Sequence, residues 1–183
     1  MLFATAEAVL AQFPLQVQGC PNASLMCVSS GPLPAQARDA VTASAERLGY
    51  GRENVAWVEV APATAEEEPA TAPPSAASGE GAAAPKKEPA AALPSAADAA
   101  DAAPLTELQL RTIVEGLDPV ALVVADAAAA ALLAEAYRQP VFCDHPNRLS
   151  ARSVAAFTNF AALLETPEGK QRAWSLLKEL TLE

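Results

Sequence analysis

The chain has 183 residues, a formal net charge of -10 and three cysteines. That length suits one ordinary domain. The acidic balance excludes a protein that grips nucleic acid mainly through a basic stripe, since counterion release needs clustered Lys and Arg. Residues 61–104 carry 7 acids and 2 bases and the remainder carries 15 acids and 10 bases, so both parts are acidic. The only basic clusters are Lys86/Lys87, Arg148/Arg152 and Lys170/Arg172, which read as solvated surface charge. DNA is therefore disfavoured as a partner. Cys20, Cys27 and Cys143 show no C-x-x-C spacing, which predicts no metal and no cofactor, and fits buried thiols in a reducing cytoplasm. The opening MLFATAEAVLAQF lacks a basic leader and carries Glu7, and no run approaches a membrane span. The expectation is a soluble cytoplasmic protein without membrane contact.

In chain order, Leu2, Phe3, Ala6, Val9, Leu10 and Phe13 recur at helical spacing until Pro14. ASLMCVSS (23–30) is a buried strand running into the loop GPLP. A helix follows from about Pro34, with Ala37, Val41, Ser44/Ala45 and Leu48 on one face and Gly49 as its stop. NVAWVEV (54–60) completes a β-α-β unit, which implies parallel pairing. Residues 61–104 are almost entirely Ala, Pro, Glu, Ser and Gly, a composition that cannot offset its ordering entropy, and read as a disordered insertion. The chain thus divides into a first half of the domain (1–60), the insertion (61–104) and a second half of the same domain (105–183).

After the insertion, Thr106 and Gln109 form a capping box, Leu105 and Leu110 a hydrophobic staple, and the helix runs to about Glu115 before Gly116 closes it. VALVVA (120–125) is the third strand, and Asp126 caps an Ala-rich helix that ends at Pro140. PVF (140–142) fits a short strand or a loop, and SVAAF (153–157) fits the fourth strand. The final helix, 167–180, turns Ala173, Trp174, Leu177 and Leu180 inward. The fold class is α/β, a three-layer α/β/α sandwich on a short, mainly parallel four-stranded sheet.

Ligands in such sheets bind beyond the carboxyl ends of the strands. That places candidate pocket residues at Ser29, Ser30, Gly31 and Pro32 after the first strand and at Thr158, Asn159 and Phe160 after the fourth. SSGPLP lacks the repeated glycines and Lys of a phosphate loop, and its prolines remove N–H donors. Asp126 fits an N-cap better than a base. His145, the only histidine, lies beside Asp144 as a charge-paired base would, but has no nucleophile at a recognisable spacing and suits a polar loop between helix and strand.

FTNFAALLETPEGKQRAWSLLK (157–178) resembles the second motif and closing helix of the uracil-DNA glycosylase superfamily, of the iron-sulfur type, where a strand leads into H-P-x-x-L-L followed by Pro, Lys, Trp and Leu. Ala161, Ala162, Leu163, Leu164, Pro167, Lys170, Trp174 and Leu177 keep that pattern, while Asn159 and Phe160 stand in place of His-Pro. LMCVSSGP is similar to the first motif, a strand followed by G-E-x-P-G, with Ser29, Ser30 and Leu33 replacing its Gly, Glu and final Gly. GYGRENVAWVEV and LQLRTIVEGLDPVALVVADAAAAALL are similar to the strands and helices between the two motifs. The resemblance implies that fold and a base-recognition loop whose remnant is Asn159. It also implies that the acid that positions water and the His that stabilises the leaving base are both gone. The bulky Phe160 alters the loop that presses into DNA when a base is flipped. The expectation is a catalytically degenerate glycosylase-like domain, not an enzyme, acting as a binding or interaction module for an unidentified protein or small-molecule partner. The alternatives are a divergent active DNA glycosylase removing uracil or a damaged base, and a nucleobase- or nucleotide-binding protein.

Overall fold

The computed structural model describes residues 5–61 and 103–180. Leu2 and Phe3, and residues 62–102 of the insertion, lie outside the described residues. Among the described residues no helix is long and apolar enough to cross a membrane.

The chain opens with α1 (Ala6–Gln12), capped by the Thr5 hydroxyl, and a short strand β1 (Val17–Gly19). Then come β2 (Leu25–Ser29), α2 (Ala35–Arg47) and β3 (Val55–Glu59). Beyond the insertion follow α3 (Glu107–Leu117), β4 (Ala121–Val124), α4 (Ala127–Tyr137), β5 (His145–Leu149) and β6 (Arg152–Ala156). The chain closes with α5 (Phe160–Leu163), α6 (Pro167–Leu177) and a 3-10 turn, Lys178–Leu180.

The sheet has six strands in the order β1-β3-β2-β4-β6-β5. Its four central strands pair in parallel and are the four apolar runs of the sequence, while β1 and β5 add antiparallel edges. The expected four-stranded sheet is therefore corrected to a six-stranded mixed one. Neither edge carries the long apolar run that marks a strand buried on both faces. β1 has three residues, and β5 is His-Pro-Asn-Arg-Leu, with Pro146 on a sheet edge where a missing N–H costs little.

Alternation along the central strands feeds two cores. Met26, Val28, Leu122, Val124 and Val154 pack against α1, α3 and α4, whereas Leu25, Cys27, Val55, Val123 and Ala155 pack against α2, α5 and α6. This period of two makes three layers. Most of these side chains are fully buried, each worth about 1.5–3 kcal/mol in transfer free energy. At the first edge, Gly19 has φ +116° and a Cβ there would lie 2.4 Å from the Val55 carbonyl oxygen, so β1 can approach β3 only with glycine.

The capping box at Thr106 and Gln109 is present, and Leu105 and Leu110 are both buried. Three boundaries differ from the sequence reading. Gly116 lies within α3, and Asp118 terminates the helix in a left-handed conformation (φ 44°), which Asp tolerates through its short polar side chain. PVF is loop, one of the two states its sequence fits, whereas His145 begins a strand instead of sitting in a helix-to-strand loop. The last helix gives way to the 3-10 turn after Leu177, and there the Tyr50 hydroxyl donates to the Leu180 carbonyl.

β3 lies on one side of β2 and β4 on the other, with α2 and α3 crossing on opposite faces. The gap between the carboxyl ends of β2 and β4 is thus a topological switch point, where open α/β sheets form a crevice.

Candidate functional site

At that switch point lies a recess of about 190 Å³ lined by the loop after β2 (Ser29 to Pro34), by Ala125 and Asp126 after β4, and by Asn159 and Ala161 after β6. The volume is below the ~300 Å³ at which drug-sized sites begin, so the recess admits only a small group.

Asp126 organises it. Its Oδ1 accepts from the Ala129 N–H at 2.9 Å and caps α4, as its place at a strand-to-helix junction predicts. Its Oδ2 accepts from the Ser30 N–H at 2.7 Å, which ties the loop after β2 to the end of β4. The same loop is braced from the other side: the Ser29 and Ser30 carbonyls accept from Val60 and Ala61 N–H at 2.8 and 2.9 Å. Ser29 is buried at 2% exposure.

Asn159 is exposed and continues the strand order by a single antiparallel bridge to Asp126. Its Oδ1 accepts from the Ala162 N–H at 3.0 Å and caps the four-residue α5. That bond fixes which end of the amide is oxygen. Its Nδ2 has no hydrogen-bond partner among the described residues.

The remaining sequence candidates divide. Ser30, Gly31 and Pro32 line the recess together with Ser29 and Asn159. Thr158 does not line it: its hydroxyl donates to Asp144 Oδ2 at 2.7 Å. Phe160 does not either. It is fully buried, its ring centroid 4.9 Å from that of Phe157, in the core shared with α2 and α6. The Asp144 carboxylate serves Thr158, so the proposed Asp144 and His145 pairing does not form, and His145 pairs through its backbone with Ala156. Gly31 is not sterically required: a Cβ would meet only the Ala61 carbonyl oxygen, at 3.9 Å.

A neighbouring ion pair escaped the sequence reading. Glu59 ends β3 in register with Ser29, is buried at 8% exposure, and pairs with Arg38 of α2, whose guanidinium lies 5.3 Å over the Trp57 ring. Val55, Trp57 and Glu59 share one inward face, so a carboxylate at the end of an apolar face was the available signal. Cys27 lies nearby, its thiol pushed up to about 12 by burial, with the Arg38 charge opposing and the Asp126 charge reinforcing that shift. Burial first, then the Asp144 charge, also raises the Cys143 thiol, with the neighbouring Thr158 side chain opposing. Among the described residues no cluster of His, Cys, Asp and Glu has metal-binding geometry.

Arg152 occupies the opposite end of the sheet. It donates to Glu115 Oε1 and Oε2 at 3.2 and 3.3 Å, to Asp118 Oδ1 at 2.5 Å and to the Pro119 carbonyl, while the Tyr137 hydroxyl donates to Glu115 at 2.6 Å. This network joins α3, α4 and β6 and lies remote from the recess. No family model and no curated protein matches the chain.

Proposed function

We propose that this chain is a catalytically degenerate uracil-DNA glycosylase-like domain that works as a binding module, its recess the remnant of a base-recognition pocket. One observation carries the reading: the two polar side chains best placed to act at the recess spend their oxygens on the protein's own backbone. Asp126 uses one carboxylate oxygen on Ala129 and the other on Ser30, and Asn159 uses its only acceptor on Ala162. A general base must be free to turn a lone pair to water or to a substrate proton; the Asp126 carboxylate is held by a backbone N–H on each oxygen, and the Asn159 amide is not a base. Pro32 and Pro34 supply no N–H donor to the same rim. Phe160, where the resemblance expects the proline of a groove-pressing loop, is held in the core. The parallel order of the four central strands and the position of the recess at the switch point support the lineage.

A second reading, a small-molecule site for a nucleobase or nucleotide, is favoured by the polar side chains of Ser29, Ser30 and Asn159 among the residues that line the recess. Single-turnover assays on uracil-containing single- and double-stranded DNA at low salt separate the readings, with Asn159→Ala as control. No base release is expected from either protein. Release by the wild type that disappears in the variant would overturn the proposal and establish a divergent glycosylase. A nucleobase and nucleoside panel that raises the melting temperature of the wild type alone would establish the second reading.

A further inference from the structure

On the helical face behind the recess, α2 and α6 diverge to leave a groove of about 360 Å³. Ala40 and Ala43 form one wall, Trp174 the other, and Leu164 part of the floor. The charged residues lining it are Arg47 and Lys170, and no carboxylate lines it. Both are exposed, and among the described residues neither belongs to an ion pair. Arg47 lies 5.6 Å over the Trp174 ring, which holds its charge at the groove edge.

We propose that this groove docks an acidic amphipathic segment of a partner protein, its apolar side chains against Trp174 and Leu164 and its carboxylates on Arg47 and Lys170. Charge decides the occupant. The groove pairs an apolar lining with two cations and no carboxylate, so an acidic segment finds complementary charge there even on a chain of net charge -10. A second copy of the chain carries the same -10 and is repelled. Nucleic acid wants more cations than two and no alanine wall. Apolar anchors in a groove between helices are a recurrent way of holding a peptide. The inference concerns a different face from the recess and stands whether or not the recess binds anything.

The test selects displayed random peptides of about a dozen residues, roughly three helical turns, against the full-length chain. Arg47→Glu/Lys170→Glu provides the counter-selection, and Ala43→Trp, at an exposed helix position, fills the groove without reversing charge. Enriched peptides are expected to be net acidic with spaced apolar residues, and to bind both variants about tenfold or more weakly, while circular dichroism and melting show the variants folded. The proposal is overturned by no enrichment over the double variant, by enriched peptides that are neutral or basic, or by binding indifferent to both variants. In a Trp57→Phe background, a Trp174 emission that shifts with added salt and no peptide would assign the groove to the chain's own acidic segment and overturn the partner assignment.

Discussion

Asp126 is the side chain on which the recess most depends, and replacing it separates its two roles. In Asp126→Ala, α4 loses its N-cap, worth about 1 kcal/mol. The Ser30 N–H, half-buried behind the loop, also loses its only carboxylate acceptor, which costs about 1–2 kcal/mol more for an orphaned donor near the low end of the usual range. The sum, about 2–3 kcal/mol, corresponds to a fall of roughly 6–15 °C in melting temperature for a domain of this size. Asp126→Asn gives a contrasting result. Asn caps as well as Asp, but its one oxygen cannot serve both donors, and its amide group would oppose the Ser30 N–H. That variant keeps the cap and loses the latch, so about half the destabilisation remains. Amide hydrogen exchange resolves the rest: Ser30 accelerates in both variants, Ala129 only in Asp126→Ala. An Asp126→Ala protein that melts within about 1 °C of wild type, or one in which Ser30 exchange is unchanged, would refute the idea that one carboxylate holds both loops.

The two-residue turn between β5 and β6 places Ser150 at φ 48° and Ala151 at φ 73°, where Gly and Asn are preferred, so Ala151→Gly is expected to stabilise by about 1 kcal/mol; an unchanged or lower urea midpoint would contradict this. Glu115 titrates below the ordinary carboxylate range: burial pushes it up, but hydrogen bonds from Tyr137 and Arg152 and the charges of Arg152 and Arg111 pull it down further. Because the folded value is depressed, its contribution is present above the unfolded value of about 4.3 and is lost as pH falls through the folded one. Glu115→Gln should therefore be less stable than wild type at neutral pH, with the gap closing in acid, and urea midpoints at both pH values that keep the gap constant would count against it. Cys27, fully buried with its thiol raised to about 12, should resist alkylation at pH 8 in the folded protein while the half-buried Cys20 is labelled; mass spectrometry of partially modified protein reads this directly.

The central strands were legible because burial on both faces leaves continuous apolar runs, as in LMCVS and ALVV. The helices were legible where their caps are spelled locally, by Thr106 with Gln109 and by Asp126. The two edge strands were not. β1 is too short for any period to register, and β5 is joined to β6 by Ser-Ala, a pair without the Asn-Gly or Asp-Gly signature of a tight hairpin. At the site, Asp126 could be read as a cap because Ala129 is three residues away. Its second bond could not, because Ser30 is 96 residues distant and only the sheet order brings the two together. The same holds for Glu59 and Arg38, and for Arg152 with Glu115, which are pairs made by topology and not by spacing.

The loop after β6 is held largely independently of its side chains. Its position is set from the backbone: Phe160 N–H donates to the Ala125 carbonyl at 2.8 Å and Ala127 N–H to the Thr158 carbonyl at 3.2 Å, so the turn is sewn to the end of β4 whatever side chain occupies position 159. Asn159 adds only a cap to a helix of four residues. The Phe157 and Phe160 rings beneath it are anchored in the core with Leu164 and Leu177, whose burial does not depend on any group in the recess. Substitution of Asn159 is therefore expected to cost the fold little, whereas Asp126, which closes two loops, cannot be lost so freely. Constraint on this fold follows the hydrogen bonds that close the loops, and those bonds hold the recess open without calling on the side chain at position 159.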